Sequence, residues 1–339
     1  MESNEANQEK LLKEFNNKYN SNLDLGQKEI NLFSFNLSNK GLFELISINF
    51  SKKLEKLILE NNLITNIFPL TLILFGENLI SLDLSSNKIE SIDSLSKVNF
   101  PLLLHLYLNN NIITNIESLC EFKFPKLIEL NLSSNKISTI DILSKSNFPN
   151  LKELLLSKNE INSINILSNV NFPKLKILTL DHNKINCIDC LENIKFKNIR
   201  ELRLEKNLLK NIEILSKINF QKLCYLSIGD DILKDNLNEL KYIKFPKLED
   251  IRVYLNDKIN KKSNNIIEII NFFENKGICF KFIKYDKNGE NEIMDEDNNF
   301  IHNYDDEDDE ENGDSENIFV DEAKLSHNLN DFLIKEGLI

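Results

Sequence analysis

The sequence predicts an α/β solenoid: a curved stack of about ten parallel strands with the sheet on its concave face, helical caps and an acidic tail. Three observations carry the prediction. One short pattern returns every 24 residues, an asparagine holds the same place in seven successive copies, and a phenylalanine stands shortly before each next copy. Repetition at a fixed step means units that cannot bury an apolar face alone and do so on their neighbours.

The copies are plain. LEKLILENNLI starts at Leu54, LISLDLSSNKI at Leu79, LLHLYLNNNII at Leu103 and LIELNLSSNKI at Leu127. LKELLLSKNEI follows at Leu151, LKILTLDHNKI at Leu175 and IRELRLEKNLL at Ile199. Weaker copies begin at Leu32 (LFSFNLSNKGL), Leu223 (LCYLSIGDDIL) and Leu248 (LEDIRVYLN), so the solenoid is expected over residues 31–256.

Each repeat place has a physical task. Places four and six, Leu130 and Leu132 for example, alternate with polar residues, the period of a strand with one buried face. Place nine is Asn62, Asn87, Asn111, Asn135, Asn159, Asn183 and Asn207. An amide carries donors and an acceptor, so a ladder of them can satisfy backbone groups left free where each strand turns away. Phe75, Phe100, Phe124, Phe148, Phe172, Phe196, Phe220 and Phe245 predict a spine of rings, with Pro following five of them.

The LxxLxLxxN core resembles the leucine-rich-repeat superfamily over about two thirds of the chain. The following IxxIxxL (Ile137, Ile140, Leu143) is similar to the short intracellular, phosphatase-regulator-like subclass with 24-residue repeats. Two extra residues after that leucine lengthen the return path, which is expected to form short helical or 3₁₀ turns. The resemblance implies a horseshoe whose concave face holds a partner protein, as a regulatory subunit or scaffold, with a phosphatase or other enzyme among the partners.

Both ends read as caps. QEKLLKEFNNKY (residues 8–19) places Leu11, Leu12, Phe15 and Tyr19 on one helical face, so residues 1–30 are expected to cover the first rung. Residues 257–285 are expected to close the other end with a helix, Ser263 as its N-cap and Gly277 just past its end, and then a strand, ICFKFIKY. Residues 286–317 hold fifteen Asp/Glu against one Lys and are expected to be disordered, and residues 318–339 to form a short amphipathic helix. Residues 1–285 are therefore mildly basic, although the whole chain has a formal charge of -12. A repeat array with an acidic run also resembles the acidic leucine-rich nuclear phosphoproteins, which implies a second reading in which the tail engages basic proteins such as histones.

The amino terminus lacks the apolar run of a secretory signal, no stretch is apolar enough for a membrane span, and five Cys fit no disulfide framework. The expected location is cytoplasmic, with the nucleus as second compartment. No cofactor is expected, since glycine is scarce and phosphate-cradling motifs are missing. No Lys/Arg stripe interleaved with aromatics runs along the concave columns, which argues against nucleic acid.

That leaves the outward strand places three, five and seven. Asp83, His105, Tyr107, Glu129, Asn131, Glu153, Leu155, Ile177 and Arg203 are the expected partner-binding residues, apolar anchors ringed by carboxylates. Arg203 and Arg252 suggest a second polar region. Scattered apolar residues are also ordinary on any surface. His105 beside Glu129 has the makings of a base and its orienter or of two metal ligands, but no nucleophile or third ligand accompanies them, so no enzyme is expected. The Cys187/Cys190 pair lacks the second pair or His residues of a zinc site.

Overall fold

Leucines at alternate strand places need a dry face, and the chain supplies one by stacking its copies in parallel. The computed structural model describes residues 2–50, 52–229, 237–255, 264–285, 291–294 and 300–302. The rungs are β1 (Glu29–Asn31), β2 (Lys56–Ile58), β3 (Ser81–Asp83), β4 (His105–Tyr107) and β5 (Glu129–Asn131). They continue with β6 (Glu153–Leu155), β7 (Ile177–Thr179), β8 (Glu201–Arg203), β9 (Tyr225–Gly229) and β10 (Asp250–Leu255). Neighbouring strands pair in parallel and in register, for example Glu129 opposite Glu153 and Leu130 opposite Leu154. Between rungs the chain returns through short 3₁₀ turns, such as Asp93–Lys97 and Asp189–Asn193, as the lengthened return path predicts.

The first rung corrects the sequence register. Its strand is Glu29–Asn31, paired with Lys56–Ile58, so the dry face is made by Ile30 and Leu32 rather than by a copy beginning at Leu32. Leu37 is the residue whose N–H donates to Asn62 Oδ1 at 2.8 Å, the place that Ile64 takes toward Asn87. Ser34 and Asn36, read as strand places, have φ of 60° and 53° and belong to the turn. LFSFNL imitates the repeat because its alternation is right; only pairing fixes which alternate set faces inward.

The asparagine ladder forms from Asn62 to Asn207. Each Nδ2 donates to carbonyls of its own turn and of the preceding rung, and each Oδ1 accepts an N–H of that rung's return path. The phenylalanine spine is buried throughout, with Phe50 as a further member at its start. Ring centroids lie 6.2 Å apart for Phe100 and Phe124 and 6.1 Å for Phe148 and Phe172. One residue before each ladder asparagine, a non-glycine stands at positive φ, as at Asn110, Ser134 and Lys158 with φ of 54°.

The caps follow the same logic of covering an open end. Helix α1 (Glu2–Tyr19) starts earlier than the periodicity suggests and buries Phe15 against the core. It is tied to α2 (Asn39–Ile46) by Lys18 Nζ, 2.6 Å from a Glu44 oxygen, and by the Tyr19 hydroxyl, which donates to Glu44 at 3.1 Å. At the far end, α3 (Asn264–Glu274) precedes β11 (Cys279–Tyr285), which adds to β10 in parallel and buries Phe280 and Phe282. Gly277, just past α3, has φ of 71°, the left-handed conformation that suits glycine at a helix end. Ser263, expected as the cap, lies outside the described residues.

Within the stretch expected to be disordered from residue 286, two strands, β12 (Asn291–Met294) and β13 (Phe300–His302), continue the sheet in antiparallel pairing. Ile293 pairs with Ile283 on one side and Ile301 on the other, apolar positions within a stretch of strongly acidic composition. The rest of the acidic segment and the expected helix at 318–339 lie outside the described residues. No helix among the described residues is long and apolar enough to cross a membrane.

Candidate binding face

Places three and five of each strand point away from the leucine core, and parallel pairing stacks them into two columns about 4.8 Å per rung. Along place three run Ser81, His105, Glu129, Glu153, Ile177 and Glu201; along place five run Asp83, Tyr107, Asn131, Leu155, Thr179 and Arg203. All nine partner-binding candidates thus share one continuous face. They do not form one contact cluster.

The tightest group centres on Glu129. Its Oε2 accepts from the Tyr107 hydroxyl at 2.8 Å and shares a hydrogen bond with His105 Nδ1 at 2.9 Å. The His105 and Tyr107 rings stack, 6.3 Å between centroids and 13° between planes. Burial, the Glu129 carboxylate and its hydrogen bond push the Tyr107 phenol upward, so it stays a donor. Asp83 bonds to the backbone and hydroxyl of Ser85, at 2.9 and 2.5 Å. Burial raises its carboxyl despite those bonds, with Glu129 adding to the rise.

Glu153 is different. It is only 9% exposed, and its carboxyl is pushed up to about 8, first by burial and then by Glu129 and Glu201. Lys152 and Lys176 oppose the rise without cancelling it. No hydrogen bond from a described residue reaches its carboxylate. Leu155, on the same strand, and Ile177, opposite Glu153 on the next, are half-buried apolar neighbours.

A second group occupies the later rungs. Arg203 Nε donates to Glu201 at 2.6 Å, and the guanidinium carbons of Arg203 and Arg252 lie 5.4 and 5.2 Å from the Tyr225 ring centroid. Arg252 therefore joins Arg203 through the tyrosine between them, in the second polar region that the sequence suggests.

Place seven carries buried polar chains. Ser157 donates to Asp181 at 2.6 Å and shares a hydrogen bond with the Thr179 hydroxyl at 2.7 Å, and Asp181 pairs with His182 at 2.9 Å. Burial alone would raise Asp181, but its bonds to His182 and Ser157 outweigh that and hold it low. Ser227 donates to Glu205, whose carboxyl burial and Asp181 push up. Ser157 and Asp181 are a hydroxyl and an acid on adjacent rungs of one column, a signal present in the sequence, whereas Ser227 reaches Glu205 from place five. Asn131, expected to face a partner, is buried and turns its Oδ1 to the Ser133 N–H at 3.0 Å.

Burial of Glu129, Asn131 and Glu153 departs from a plain solvent-facing column, because long side chains on adjacent rungs cover one another at this spacing. Among the described residues no group of three or more His, Cys, Asp or Glu stands together as a metal cluster. Cys187 and Cys190 are free thiols, and Cys190, pushed up to about 12 by burial, then Cys187 and Asp189, donates to the Ile164 carbonyl.

Comparison with known proteins matches residues 101–161 and 125–185 to the leucine rich repeat family model. No curated protein matches the chain. Among solved structures, internalin C2 of Listeria monocytogenes is similar at 25% identity over 59% of this chain and 80% of that one, with a TM-score of 0.48. Internalin F of the same organism is similar at 20% identity over 73% and 79%, TM-score 0.48. A complex of Latrophilin 3, Unc5D and the leucine-rich-repeat protein FLRT2 contains a chain similar at 17% identity over 78% and 86%, TM-score 0.49. Repeat, ladder and parallel sheet make the fold a leucine-rich-repeat solenoid, and residues 101–185 within it match the leucine rich repeat family model.

Proposed function

We propose that the outward sheet face binds a partner protein without catalysis, in the role of a regulatory subunit or scaffold. The observation that carries this is the placing of half-buried Tyr107, Leu155 and Ile177 beside Glu129 and Glu153 on one continuous face. Repeat solenoids use such extended surfaces for binding, and apolar anchors bounded by charge give both affinity and selectivity. His105, Glu129 and Tyr107 satisfy one another, which fits a preformed surface better than a reacting centre.

A photo-crosslinking residue at place 155 should trap a partner in cell extract, while the same residue at exposed place 145 should not. The trapped species should vanish in a Tyr107→Lys, Leu155→Lys variant that keeps its circular dichroism. Equal trapping from both places would overturn the assignment. A second reading rests on the charge of residues 286–317: the acidic segment holds basic proteins such as histones. Deleting that segment would then abolish capture of histones and leave crosslinking at 155 unchanged.

A further inference from the structure

We propose that Glu129 and Glu153, with Leu155 and Ile177, form a pocket for one lysine or arginine side chain of the partner. This deepens the proposal that the outward sheet face binds protein. The two carboxylates stand in register on adjacent strands, yet only Glu129 is served, by His105 and Tyr107. Glu153 is nine-tenths buried and accepts no hydrogen bond from a described residue, while its oxygens are not among the fully occluded unpartnered atoms. A buried acid without a donor is costly, and an arriving cation supplies donors and charge together. Leu155 and Ile177 supply apolar surface beside the acid for the methylene stem of lysine or arginine, whose charged end then reaches the carboxylate. An anionic or purely apolar side chain satisfies only part of that arrangement.

The groups facing Glu153 set how pH acts. Burial is the largest influence, Glu129 and Glu201 also disfavour its ionisation, Lys152 and Lys176 favour it, and the carboxyl is pushed up to about 8. A cation binds the ionised form and must displace that proton. Affinity for a lysine side chain therefore rises with pH, by about 30-fold between pH 6.5 and 9 when only the ionised fraction matters.

The test uses the full chain and two fluorescent, end-blocked pentapeptides, Ala-Leu-Lys-Leu-Ala and its norleucine counterpart, read by anisotropy. The lysine peptide should bind at least 10-fold more tightly than the norleucine peptide at pH 9. That preference should collapse in Glu153→Gln, and the pH rise should flatten with it. Equal affinity of the two peptides, or a lysine preference untouched by Glu153→Gln, would overturn the pocket. Binding of neither peptide would overturn it too. In each case crosslinking at place 155 judges the wider proposal independently, since a face without this pocket would still trap a partner there.

Discussion

Asn159 reaches back a full rung to Leu132, donating from Nδ2 to its carbonyl at 2.9 Å, while Asn159 Oδ1 accepts from the Ile137 N–H at 3.0 Å. One side chain thus closes backbone groups that belong to the preceding copy. Neighbouring rungs are joined by polar bonds as well as by leucine packing.

Replacing Asn159 with Ala should therefore destabilise the solenoid more than the loss of a single contact suggests. Each buried group left without a partner costs about 1–3 kcal/mol, and Asn159→Ala strands groups on two rungs. Urea denaturation should show the midpoint falling. An unchanged midpoint would mean that water replaces the amide at no cost.

Phe148 is 1% exposed and packs 6.1 Å from Phe172. Phe148→Ala should cost about 3–5 kcal/mol, the range for emptying a packed aromatic site. Thermal unfolding followed by circular dichroism measures it, and a loss under about 1 kcal/mol would show the spine collapsing around the gap.

Much of this was legible beforehand because the ladder and spine residues recur at fixed sequence positions. The first rung was not, since Leu32 and Leu37 fit two frames and only pairing with Lys56–Ile58 selects one. The nine face residues were placed in the right columns. His105 beside Glu129 was legible from their adjacent rungs, but the Tyr107 bond to Glu129 was hidden, because it runs diagonally from place five to place three through a side-chain conformation that spacing does not encode.

Stability should depend on the protonation of Glu153. Its carboxyl is raised from the ordinary 4.5 to about 8, so the folded state holds a proton that the unfolded chain releases earlier. The folded state is favoured below the unfolded value and loses that advantage as pH rises from about 4.5 to 8. Glu153→Gln should therefore stabilise the protein at pH 9, on the order of a few kcal/mol, with the gain shrinking toward pH 4.5. Denaturant midpoints of both proteins across that range check it; a gain independent of pH would contradict it.

Gly229 ends β9 at a φ of 154°, and a Cβ there would lie 2.2 Å from the Tyr254 carbonyl oxygen and 2.6 Å from its nitrogen. Those atoms are backbone, so they cannot turn aside. Gly229→Ala should pry β9 from β10, seen as faster amide exchange at Tyr254 with protection of Leu130 unchanged. Loss of protection in both places would instead mean that the sheet opens as one unit.

A 24-residue step that meets an equivalent neighbour on either side makes chain length a free variable. Unequal exchange between gene copies that removed or added one whole unit would rejoin ladder to ladder and spine to spine, with no misfit at the junction. A unit added between the Glu153 carboxyl and the Arg203–Tyr225–Arg252 group would lengthen their spacing by one rung each time. Inheritance can therefore alter the reach of this surface in fixed increments while leaving its chemistry intact.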